Sequence, residues 1–128
     1  MKNILLQECI DSLIIKRVFD DANSKVLFDE FSNKIKFTFY GRVDWKVYPR
    51  KKKIENNEDV LFYLDKTDIC LLFWNEASLP VIETSLNCFL KNIDDVLAVS
   101  FDTWILIREK NIIIEFFHDG EITLLDIS

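Results

Sequence analysis

Apolar and polar positions are patterned most regularly in the last third of the chain. "VLAVS", "TWILIRE", "NIIIEFF" and "EITLLDI" are short β-branched runs, and "EKN" (109–111) and "HDG" (118–120) separate the last three. This spacing predicts an antiparallel β-meander. Asp119-Gly120 marks its final hairpin, because glycine supplies the positive φ that a tight turn needs. Upstream, "KIKFTFYGRVDW" places Ile35, Phe37 and Phe39 on one face and Lys34, Lys36 and Thr38 on the other, which predicts a half-buried strand with a bulge or bend at Gly41. "KVLFDEF" reads as a strand as well. "DVLFYLDKTDICLLFWNEA" reads as two strands joined around "DKTD".

Helical spacing occurs twice. Residues 3–12 form a short helix leading into a strand, with "DANS" (21–24) as the turn after it. "SLPVIETSLNCFLKNI" carries the stripe Ile82, Leu86, Phe89, Leu90 and Ile93, with Ser78 as N-cap, Pro80 in the first turn and Glu83 on the helix dipole. The helix is expected near 79–92. The polar stretch "PRKKKIENNED" (49–59) is a loop. The expected fold is α+β: a mostly antiparallel, curved sheet with one or two helices and a C-terminal meander.

Composition narrows the function. A chain of 128 residues with 49% hydrophobic content forms a single domain, 1–128, with one real core. "MKNILLQECIDS" has too few apolar residues before Gln7 for a signal peptide, and "ICLLFW" is too short to span a bilayer. The reading is a soluble, cytoplasmic protein without a membrane partner. Cys9, Cys70 and Cys88 have no Cys-x-x-Cys spacing and read as core thiols in a reducing compartment. With Gly41 and Gly120 its only glycines, the chain holds neither a Walker loop nor a dinucleotide fingerprint. No cofactor and no metal site is expected.

The net charge of −6 is unevenly divided. Residues 1–53 hold twelve Lys/Arg and seven Asp/Glu, whereas residues 54–128 hold four and fifteen. The acidic half repels nucleic acid and steers a basic protein toward itself, or simply keeps the domain soluble. His118, the only histidine, would need an orienting carboxylate for catalysis, with Glu115 and Asp119 the nearest candidates in sequence; a plain hairpin turn is the competing reading. The 46–53 loop interleaves with Trp45 and Tyr48 and carries Arg50 to Lys53, chemistry suited to an RNA-associated module, against the overall acidity. Trp74 beside Glu76 and Trp104 beside Asp102 are either core residues with a wet edge or interface anchors.

The segments "FWNEASLPVI", "NIDDVLAVSFDTWILI" and "IIIEFFHDGEITL" resemble bacterial immunity proteins of contact-dependent growth inhibition and related polymorphic toxin systems, over residues 70–125. The resemblance implies a non-enzymatic protein that binds the C-terminal domain of one cognate secreted toxin, often a basic nuclease, and blocks its active or substrate-binding site. It brings no family-wide site residues. The contacts proposed from the residues themselves are Glu76, Asp94, Asp95, Asp102, Asp119 and Glu121 as acids, with Trp74 and Trp104 as anchors.

Overall fold

The computed structural model describes residues 3–38 and 41–127. Its centre is the predicted meander. Strands β5 (Thr103–Ile107), β6 (Ile112–Phe116) and β7 (Ile122–Asp126) pair antiparallel in sequence order. Turns at 108–111 and 118–120 join them, with Asn111 and Gly120 at positive φ. β3 (Ile69–Trp74) pairs with β5, and β4 (Ile82–Ser85) with β3. Two short strands close the edges: β1 (Arg17–Val18) on β4 and β2 (Lys52–Ile54) on β7. The result is an open, all-antiparallel seven-stranded sheet in the order β1-β4-β3-β5-β6-β7-β2, and the α+β class holds.

Helices cover both faces. Helices α1 (Ile4–Ser12), α3 (Leu86–Lys91) and α4 (Ile93–Leu97) lie on one side, where Cys70, Leu72, Trp74, Ile105, Ile114 and Phe116 point. On the other side α2 (Asp21–Lys34) packs its Phe31 with Leu71, Phe73, Trp104, Leu106 and Ile113. Adjacent residues along β3, β5 and β6 thus enter opposite layers, which is why these strands read as nearly continuous apolar runs. The three cysteines are free thiols buried in the first layer. Burial pushes the Cys9 thiol up to about 11 and Cys70 further above the ordinary range.

Several local expectations are corrected. The 3–12 helix is present, capped by Asn3, whose Oδ1 accepts from Leu6 N at 2.9 Å. "DANS", however, is the first turn of α2 rather than a turn between strands, and "KVLFDEF" is helical. Asp20 caps it by accepting from Asn23 N at 2.8 Å, and Ser24, Leu27, Phe28 and Phe31 fall on one helical face. The expected strand at 34–45 is reduced to one bridge, Phe37 to Val43, around a tight bend at Gly41 (φ 86°). Ile35 and Phe37 do turn inward; Phe39 lies outside the described residues. Trp45–Val47 is a 3-10 turn. β2 falls inside the expected 49–59 loop.

"DVLFY" is also not a strand. Asn57–Phe62 winds as a 3-10 helix behind a capping box of Asn56 and Asp59. The 79–92 helix is shorter and starts later, because β-branched Ile82 and Thr84 serve as the β4 ladder against β3. Ser78 and Pro80 precede that strand, and Glu83 sits in it opposite Arg17. The true N-cap is Ser85, whose Oγ accepts from Cys88 N at 3.1 Å. Ser85→Ala is expected to cost about 1 kcal/mol in urea denaturation; a change near zero would show that the hydroxyl caps nothing. "VLAVS" ends α4 instead of forming a strand.

Candidate functional site

The β6–β7 hairpin ends where the loop from α4 to β5 turns back, and the two form one surface. Phe117 N donates to Glu121 O, and Gly120 N to Phe117 O, so the tip is tightly closed. His118 leans from it onto Asp102. The Asp102 Oδ1 accepts both the His118 backbone N–H (2.9 Å) and the ring Nδ1 (3.0 Å). Because the carboxylate accepts, Nδ1 carries the proton and Nε2 lies across the ring, on a side chain 52% exposed. Asn75 holds Asp102 from behind through its backbone N–H to Asp102 O and its side-chain amide to Oδ2. The orienting carboxylate of His118 is therefore Asp102, neither Glu115 nor Asp119. Asp119 instead accepts from Glu121 N within the turn.

Next to this pair runs an open groove of about 550 Å³, lined by Leu97, Val99, Phe101, Phe116, Phe117 and His118, with Glu76 and Ser100 at its polar end. Phe101 is 76% exposed. The Ser100 hydroxyl donates to Asn75 Oδ1 at 2.6 Å and lies 3.3 Å from Glu76 Oε1. His118 packs 4.1 Å from Phe117 and 6.0 Å from Phe101, centroid to centroid. On the other side of Phe117, the Arg42 guanidinium lies 3.9 Å from the ring. Phe101 escaped notice in the sequence because "VSFDT" carries no pattern; its exposure is visible only once α4 and β5 are in place.

Glu115 has a different task. It is buried on the α2 face of the sheet and gathers four N–H donors: Arg42 Nε (2.9 Å) and Trp45 Nε1 (2.9 Å) on Oε1, Val43 N (3.0 Å) and Trp104 Nε1 (3.0 Å) on Oε2. It ties the 42–45 segment to the sheet. Arg42 also donates to Glu121 Oε2 at 2.6 Å, which Lys53 shares at 3.2 Å. Hydrogen bonding from Arg42, then from Lys53, holds the Glu121 carboxyl below the ordinary range. Burial opposes the charge on Arg42, but Glu121 and Glu115 outweigh it and push its pKa up.

The candidate contacts divide accordingly. Glu76, Asp94, Asp95 and Asp119 are exposed, and none of them forms an ion pair among the described residues. Glu121 is exposed but shared between two cations, and Asp102 is buried beneath His118. Trp74 and Trp104 are interior: each is 2% exposed, with indole N–H groups donating to Val96 O and Glu115. They support the fold and offer a partner no surface, because both strands are covered on both faces. The stacking platform expected of Trp45 and Tyr48 is altered too. Trp45 is buried on Glu115, and the half-buried Tyr48 has its hydroxyl accepting from Lys36 N, so neither forms the exposed stack; the exposed ring beside these lysines is Tyr63, 5.7 Å from Lys52 Nζ. Among the described residues no group of His, Cys, Asp and Glu is placed to hold a metal ion. Nor, among them, is any helix long and apolar enough to cross a membrane.

Comparison with known families places the chain among immunity proteins. The model described as CdiI immunity protein, EcoliA0-like, matches residues 3–125, nearly the whole chain, and the chain belongs to that family. The likeness read from residues 70–125 thus extends through the N-terminal half. No individually curated protein matches the chain. Membership implies a cognate toxin as partner.

Proposed function

We propose that the chain neutralises its cognate toxin in the cytoplasm by binding the toxin's C-terminal domain, a basic nuclease, over its active or substrate-binding site. It does so as a binding protein, without chemistry of its own. The observation that carries this reading is the set of four uncompensated surface carboxylates, Glu76, Asp94, Asp95 and Asp119, in the acidic half of the chain. A nuclease surface is basic because it holds phosphates, and such carboxylates compete for the same cations.

Mixing the chain with the cognate toxin domain is expected to give a tight stoichiometric complex and abolish toxin activity. Neutralising Glu76, Asp94, Asp95 and Asp119 together, as Gln or Asn, is expected to slow association at low salt by about tenfold or more and to flatten its salt dependence. Stopped-flow binding measures both. An unchanged association rate removes the electrostatic mechanism, and a toxin that stays active in the presence of excess chain removes the function.

A further inference from the structure

We propose that the groove between Phe101 and the hairpin tip is the seat of one arginine side chain of the toxin domain, an inference that rests on the binding function above and gives it a specific contact. The groove has an apolar floor of Leu97, Val99 and Phe116 and ends at the Glu76 carboxylate. Its second polar feature is His118, whose ring Nδ1 is committed to Asp102. Among the described residues that line the groove there is no lysine or arginine. The Ser100 hydroxyl is already committed to Asn75 and Glu76, so an anion finds no lysine or arginine to neutralise it, and a purely apolar group would cover the Glu76 carboxylate without balancing its charge. The complementary ligand is a cation with a long apolar stem.

Aromatic packing selects arginine over lysine. One side of Phe117 is taken by Arg42 and another by His118, whereas Phe101 meets the His118 ring only at 6.0 Å and, 76% exposed, keeps area to receive a planar group. The chain already uses this chemistry internally: Arg42 stacks on Phe117 while its N–H groups meet two glutamates. An incoming guanidinium on Phe101 with Glu76 at its edge repeats that arrangement between molecules. Asp102 acts here as a positioning residue. It fixes the His118 ring and makes no contact with the toxin itself.

The test pairs a small probe with the complex. Two-dimensional NMR of the full chain is titrated with N-acetyl-arginine methylamide and with its neutral citrulline counterpart. The arginine probe is expected to shift the amides of Ser100, Phe101 and His118 at concentrations about tenfold below those the citrulline probe requires. Glu76→Gln is expected to erase that difference, and Phe101→Ala to weaken both probes; both sites are exposed, so neither change threatens the fold. In the toxin complex, each substitution is expected to raise Kd about tenfold or more. One toxin arginine, changed to alanine, then loses no further affinity in the Glu76→Gln background. Equal shifts by the two probes, no shift by either, or a complex indifferent to both substitutions overturns the groove assignment. A chain that binds the arginine probe selectively yet leaves its cognate toxin active overturns the neutralising function while the groove chemistry stands.

Discussion

Glu115→Ala is expected to lower the unfolding free energy by about 3–5 kcal/mol, the cost of breaking a buried ionic network by removing one partner. The wild-type carboxylate satisfies two indole N–H groups, one backbone N–H and the Arg42 guanidinium. Alanine returns none of these bonds and leaves a cavity beside Trp45 and Trp104. Arg42 retains Glu121, so its charge is not orphaned, which keeps the loss within that range. Urea denaturation followed by tryptophan fluorescence measures it, and the native emission is expected to move red as water reaches the two indoles. A loss under about 1 kcal/mol would show that the 42–45 segment is held by packing alone.

Phe31→Ala is expected to cost about 3–5 kcal/mol by another route, as a large-to-small change in a close-packed core. Phe31 is fully buried and stacks on Phe73 at 4.4 Å with an interplanar angle of 11°, while Phe28, Phe37 and Trp104 surround it. Among the described residues it is the most buried side chain that α2 sets on the sheet. Calorimetry and urea denaturation should agree on the loss; a value under about 1.5 kcal/mol would mean that α2 settles into the space. The two substitutions share Trp104, which touches Phe31 and donates to Glu115. The double variant is therefore expected to lose less than the sum of the two.

These residues also show what a linear reading can and cannot reach. The meander was legible because its signals are local: runs apolar on both faces, and Asp119-Gly120 closing a turn. The α2 segment was not, since "KVLFDEF" satisfies a period of two and of 3.6 alike. Asp20 decides the matter from outside the run. The 79–92 stripe misled because Ile82, Leu86, Phe89 and Ile93 all face one core layer, yet reach it from a strand, a helix and a second helix in turn. Long-range pairing of β4 with β3 overrode the helical spacing. In the sequence, Glu115 stands out only as a possible orienting carboxylate for His118. Its interior role depends on partners some 70 residues earlier, and so does the loss of Trp45 as a stacking surface. Four of the six acids, Glu76, Asp94, Asp95 and Asp119, were easier to place, because exposed carboxylates need no distant partner to be at the surface, whereas Asp102 is buried and Glu121 is paired.

The two edge strands have a consequence for how the chain comes into being. β1 and β2 lie within the first 54 residues, yet β1 pairs with β4 and β2 with β7, the last strand to be made. Synthesis delivers these segments first and their ladders last. While the ribosome is still adding the C-terminal meander, α2 has no sheet on which to lay Phe31, and Arg42 waits for Glu115. Both edge ladders thus close only once β4 and β7 have been made, as expected where non-local pairings dominate. An interval between making β1 and β2 and giving them their partners is built into the strand order itself.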